Sequence, residues 1–367
     1  MRLPLVAGET ATNLVVEGRA ALSEGTLESN ERAVALFERA VDVDPGFALP
    51  YVGLATTYLQ RAADLRLGRQ WLEQAVAAGE KAVHLDPALA EGYLALGLAY
   101  RSKGFLQKEL QLWHRRVQLD PSDAIAGTRE GWVLWFTGKP EAALPRLHAA
   151  AAMRPDDRWV QRWVYFFIGN ANLALGDYRE AEQMYLKELG LHPDHSSAQA
   201  GVIWSLLAVD KDEAARSQLQ RFQTDSYDGD RCSLKLTDIE YFVHEDEKAA
   251  LHAREALAEP DERYWPRGFL ASTILGALQW RSDREGAQAQ LASSARIDRE
   301  RLEGGDEGYM PHIDLAAVDA IRGDARAACR SLRAAMAAGW RYPALAKRDR
   351  LFESLRADSE FGSLVVS

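Results

Sequence analysis

Five prolines set the frame for this chain. Pro45, Pro87, Pro121, Pro155 and Pro193 are separated by 42, 34, 34 and 38 residues, a period of 34 with short insertions. Aspartate precedes the first three, at Asp44, Asp86 and Asp120. A unit of this length holds two helices and a turn, and one such pair cannot bury its own apolar face. Neighbouring pairs must therefore stack to make a core.

The content of the units recurs along with their length. Residues 90–123 carry Tyr93, Leu96, Gly97, Tyr100, Gly104, Trp113 and Pro121, and residues 124–157 carry Gly131, Leu134, Gly138, Ala143, Leu147, Ala150 and Pro155. The unit ending at Pro193 carries Tyr165, Gly169, Asn172, Gly176, Ala181 and Tyr185. Apolar residues three and four apart give each helix one buried stripe. Gly97, Gly131 and Gly169 mark where the two helices of a pair cross closely. Gly104, Gly138 and Gly176 fall where the first helix ends and suit a left-handed cap. Each proline stops the second helix and pushes the residue before it out of α geometry.

These residue types at this period resemble the tetratricopeptide repeat (TPR). The resemblance is strongest over residues 90–157, holds from about residue 14 to 195, and weakens beyond. It implies an all-α TPR superhelical solenoid of about eight or nine helix pairs with a C-terminal cap helix. Residues 1–195 are expected to form a well-matched array, 196–338 degenerate pairs, and 339–367 the cap. The degenerate pairs are expected over 196–222, turning near Asp210; over 234–257, with Pro260 behind; from Trp265 to Ile297, breaking at Ser282-Asp283; and over 312–336, turning at Gly323-Asp324. In the cap, Leu345, Leu351, Phe352, Leu355 and Phe361 recur at roughly helical spacing. Glu109, Arg116 and Glu130 stand where the repeat expects small or apolar residues. Arg116 and Glu130 either pair across consecutive hairpins or stay solvated.

The two ends carry further signatures. Glu17-Gly18-Arg19 and residues 33–48 open the chain, and Gly323-Asp324-Ala325 and residues 349–361 close it. They resemble the C-terminal TPR regions of bacterial multidomain signalling proteins, in which a nucleotide cyclase, a Ser/Thr kinase or a winged-helix domain comes first. No such effector is present here, so the chain is expected to be a stand-alone relative or a piece of a longer protein.

Composition narrows the function. The chain has 54 acidic against 44 basic residues, a net charge of −10. That balance argues against nucleic acid and against an anionic membrane as partner, because no excess of cations is available to displace counterions. No apolar run is long enough to span a bilayer. Two cysteines, Cys232 and Cys329, make no disulfide framework and point to a reducing, cytoplasmic setting, as buried or incidental thiols. His244-Glu245 begins like a zinc-protease motif, but Lys248 replaces the second histidine. His192 and His195 flank a turn and are expected to be solvated. Neither a phosphate loop nor a nucleophile elbow occurs. No catalytic residue, metal ligand or cofactor is assigned, and binding is expected rather than catalysis.

Aromatic placement carries the binding expectation. In a TPR array the first helix of each pair lines the concave face, so the resemblance aims Arg129, Trp132, Trp135 and Phe136 into one groove. Trp163, Phe166, Phe167 and Asn170 follow from the next unit, and Trp204 from the one after. Exposed aromatic patches of this size mark binding surfaces. Arg129 and Asn170 are the polar groups expected to orient a ligand: a protein, a peptide or a hydrophobic small molecule. Thr128 and Trp163 stand where chaperone-binding TPRs carry a carboxylate clamp, so chaperone C-termini are not the expected ligand. Two alternatives leave the groove closed: the rings pack on one another, or the C-terminal half folds back over them. An enzyme using the aromatic channel, and a structural module for self-association, are the competing functions.

Overall fold

The computed structural model describes residues 10–63, 67–68, 70–153, 158–222, 232–258 and 268–365. Among them are twenty α-helices, one 3-10 helix and no strand. Two compact units divide at Pro121 and Ser122.

The first unit holds α1 (Ala11–Ser23), α2 (Leu27–Val43), α3 (Ala48–Ala63), α4 (Gln70–Leu85), α5 (Ala90–Lys103) and α6 (Leu106–Leu119). These are three antiparallel pairs, and the first helices α1, α3 and α5 touch in succession. Phe37 of α2 is fully buried, and its ring lies where side chains on Gly18 and Gly53 would be. Asp44 and Asp120 cap α2 and α6 in extended geometry, as the following prolines require. Glu109 is fully buried, accepting from Trp113 Nε1 at 3.0 Å and from Arg101 at 2.6 Å. Arg116 donates to the Ala88 carbonyl at 3.2 Å and pairs with Asp120.

The second unit continues with α7 (Ala124–Phe136), α8 (Pro140–Met153), α9 (Arg158–Leu175), α10 (Tyr178–Leu191), α11 (Ser196–Leu207) and α12 (Asp212–Leu219). Then come α13 (Cys232–Phe242), α14 (Asp246–Ala258), α15 (Ala271–Gln279), α16 (Arg284–Glu303), α17 (Met310–Arg322) and α18 (Ala325–Ala337). The odd-numbered helices α7 to α17 contact one another in order and build one inner layer, with the even-numbered helices outside. Gly169 and Gly201 show why. An added Cβ on either would lie 2.5–2.6 Å from the Tyr185 ring, so only glycine lets α9 and α11 close around this buried tyrosine. Glu130 is buried and pairs with Arg146 at 3.2 Å.

Counting α1 to α18 gives nine pairs among the described residues, within the expected eight or nine. The expected first-helix ends hold, with φ of 80°, 75° and 85° at Gly104, Gly138 and Gly176. Pro155, Pro260 and Trp265 lie outside the described residues. The chain ends with α19 (Pro343–Arg348), the 3-10 helix (Arg350–Leu355) and α20 (Ser359–Leu364). Leu351, Phe352, Leu355 and Phe361 are all buried, the 3-10 helix packing on α17 and α20 on α18. This closes the apolar end of the stack, which an open solenoid needs.

Candidate functional site

The predicted aromatic residues come together. On α7, Trp132 stacks on Phe136 at 5.1 Å, and Trp135 meets Phe136 edge-on at 5.9 Å. Trp135 then stacks on Phe167 of α9 at 6.4 Å, and Phe167 on Trp163 at 5.8 Å. Phe166 adjoins both Phe167 and Trp163. The six rings form one continuous chain across two consecutive first helices. Trp204 of α11 packs edge-on against Phe242 at 5.4 Å and shares a small cavity with Phe166 and Asn170.

The rings do not face open solvent. Trp135, Phe136, Phe166, Phe167 and Trp204 are buried, and Trp132 and Trp163 are partly exposed. Both expected closures are present: the rings pack on one another, and the C-terminal part of the same unit covers them. Tyr309 lies 4.9 Å from Phe136. The Tyr342 oxygen accepts from the Trp135 indole N–H and from the Tyr309 hydroxyl. Burial holds both tyrosines in the phenol form, far above the ordinary tyrosine range. Tyr342 and Leu345 line the cavity beside Phe166, Asn170 and Trp204. What remains is about 20 Å³, room for one water.

The two polar residues expected to orient a ligand also make contacts inside the fold. Arg129 is buried with its guanidinium 4.0 Å over the Trp159 ring. Asn170 is buried and accepts from the Tyr185 hydroxyl at 2.6 Å. The Asn170 amide nitrogen, by contrast, is buried with no hydrogen-bond partner among the described residues.

The covering segment continues past the rings. Gly339 packs against the backbone of Thr137 and Gly138 at the end of α7. Arg348 donates to the Leu207 carbonyl and to both Asp212 oxygens, at 2.6 and 2.8 Å. Arg350 bonds both oxygens of Asp246, whose carboxyl is held below the ordinary range by those bonds. Residues 339–350 therefore run along the inner layer and meet successive pairs in chain order: α7, then α9 and α11, then α12, then α14. Nothing in the repeat pattern marks Tyr309 or Tyr342 as partners of the rings. The only available signal was their aromatic character within otherwise polar segments.

His195 departs from the expected solvated turn. It is fully buried, with Nδ1 3.0 Å from Glu188, which is fully buried too. The His195 ring lies against Trp163 at 4.8 Å and Phe166 at 5.3 Å. Burial pushes the Glu188 carboxyl up to about 9, opposed by Arg162 and reinforced by Asp194. The raised value favours the protonated Glu188 carboxyl beside His195 at neutral pH. A carboxyl raised on folding binds more protons in the native than in the unfolded state, so its contribution is full below about pH 4.3 and lost as pH rises through the folded value. Urea midpoints measured between pH 5 and 9 are expected to fall across that window. Glu188→Gln should flatten the slope, and an unchanged slope in that variant would contradict the assignment.

His244 sits in the α13–α14 turn at φ 66°, and Lys248 pairs with Glu245. Cys329 is buried and Cys232 partly so. Among the described residues, no group of three or more His, Cys, Asp or Glu is placed to hold a metal, and no helix is long and apolar enough to cross a membrane.

The tetratricopeptide-repeat family model matches residues 164–195, from within α9 through α10 to His195. No curated protein matches the chain. A tetratricopeptide repeat protein from Parabacteroides merdae is similar in structure, with a TM-score of 0.57 at 14% identity, over 73% of this chain and 98% of that one. A thermophilic TPR protein of Thermus thermophilus is similar over 54% of this chain and 100% of its own, at 23% identity and a TM-score of 0.40. The stacked hairpins and the fold shared with the Parabacteroides structure give this chain the fold of an all-α TPR solenoid, with one repeat matched by the family model.

Proposed function

We propose that this protein is a non-catalytic binding scaffold whose recognition surface is the aromatic wall of α7, α9 and α11, held in the structure by residues 339–350 of the same chain. One observation carries the reading: a segment built around the short helix α19 lies across consecutive helix pairs, ring against ring at Tyr342 and arginine on aspartate at Arg348 and Arg350. A partner that replaces it carries the same chemistry, an aromatic residue followed by leucine and then arginine. Arg129, Trp132, Trp135, Phe136, Trp163, Phe166, Phe167, Asn170 and Trp204 form the wall it meets. Residues 1–195 act as the well-matched array, 196–338 as degenerate pairs, and 339–367 as both cap and occupant. The resemblance of the end signatures to TPR regions of bacterial signalling proteins supports a cytoplasmic role in which displacing the segment is the signal.

A labelled peptide spanning residues 338–350 tests this by fluorescence anisotropy. A site already filled in cis lowers apparent affinity by the fraction that is free. Tyr342→Ala/Arg348→Ala, which loosens the cis segment, is expected to bind the peptide at least about tenfold more tightly than the parent chain. Adding Asp212→Asn should remove most of that gain. Equal affinity of parent and loosened variant would overturn the proposal.

A further inference from the structure

A second site lies away from the aromatic wall. A cleft of about 880 Å³ opens between the α15–α16 turn, the end of α17 and the 3-10 helix. That volume is in the range of small-molecule sites. Trp280, Tyr241 and Ile321 give it apolar surface, and Arg281, Arg284, Arg350 and Glu353 give it charge.

The three arginines differ in state. Arg350 is satisfied: it holds Asp246, donates to the Tyr241 carbonyl at 3.1 Å, and lies 4.5 Å over the Tyr241 ring. Arg284 stacks 3.2 Å over Trp280. Stacking fixes the guanidinium plane and leaves its N–H groups pointing outward. Neither Arg281 nor Arg284 forms an ion pair among the described residues, although acidic residues outnumber basic ones in the chain. Two unanswered guanidiniums within four residues, beside an aromatic face, suit a planar oxyanion. Glu353 sits on the facing 3-10 helix, within electrostatic reach of Arg350, and repels a second negative group.

We propose that this cleft binds a small organic oxyanion, one carboxylate or phosphate group on an aromatic or apolar body. Arg281 and Arg284 take the oxyanion, Trp280, Tyr241 and Ile321 take the body, and Glu353 selects against dianions extended across the cleft. The site is separate from the aromatic wall and shares only Arg350 with the segment covering that wall.

Calorimetric titration of the full chain at low salt tests this with three probes: inorganic phosphate, phenyl phosphate and hippurate. At least one aromatic probe is expected to bind about tenfold or more tightly than inorganic phosphate. Its rank against the other separates a phosphate from a carboxylate ligand. Arg281→Gln/Arg284→Gln should weaken that probe by at least about tenfold, while Arg326→Gln/Arg330→Gln, the same charge change on α18, stays within about twofold. Glu353→Gln should tighten binding. The proposal is overturned if neither aromatic probe exceeds inorganic phosphate, or if both arginine pairs lose affinity equally.

Discussion

Gly339→Ala is expected to destabilise the second unit by about 3 kcal/mol or more, by backbone strain plus overpacking. Two costs act together. The residue holds φ at +116°, where a Cβ is strained whatever the space around it. The added carbon would also lie 2.6 Å from the Thr137 carbonyl carbon, 2.7 Å from the Gly138 nitrogen and 2.8 Å from the Phe136 oxygen. All three are main-chain atoms, so no side chain can swing aside. The relief open to the molecule is to lift residues 339–350 off the end of α7. Gly323→Ala separates the two costs: its φ is +87°, and nothing lies within 4 Å of the added carbon. That control should lose only about 1–2 kcal/mol. Urea unfolding followed by tryptophan fluorescence reads both variants, and equal losses would mean that the contact with α7 contributes nothing.

Tyr309→Ala is the second large expected effect, a loss of about 3–5 kcal/mol. The side chain is almost fully buried, its ring meets Phe136 at 4.9 Å, and its hydroxyl donates to Tyr342. Truncation leaves a ring-sized void and takes a donor from a buried oxygen. Tyr309→Phe keeps the ring and removes only the hydrogen bond, so it should lose about 1 kcal/mol. Denaturant midpoints of the two variants divide packing from hydrogen bonding. A loss below about 1 kcal/mol for the alanine variant would be that of a surface tyrosine and would contradict its place on the wall.

The repeat was legible because its rules are local. A proline fixes the residue before it, a glycine after a helix takes positive φ, and a glycine at a crossing leaves room for a ring such as Tyr185. These rules placed the helix turns as far as Gly323. The resemblance to a TPR array, rather than these local rules, aimed the rings of α7 and α9 at one side. What was not legible was long-range. Tyr342 meets Trp135 across about two hundred residues of chain, and no periodicity links them. His192 and His195 look alike in sequence as histidines beside one proline, yet only His195 is enclosed with Glu188. Arg129 and Asn170 were read correctly as polar residues on the inner layer. What was not legible is their partners, Trp159 and Tyr185, which come from neighbouring helices.

The central claim is that the aromatic chain of α7 and α9 is closed by the protein's own C-terminal residues. A double-mutant cycle on Phe136→Ala and Tyr309→Ala tests it most directly, since the two residues lie more than 170 positions apart and meet only if the C-terminal part of the unit folds back over α7. Coupling of about 0.5–1.5 kcal/mol in urea unfolding is the expected result for a ring pair in contact. Losses that add to within about 0.3 kcal/mol would show two independent sites and contradict the closed wall.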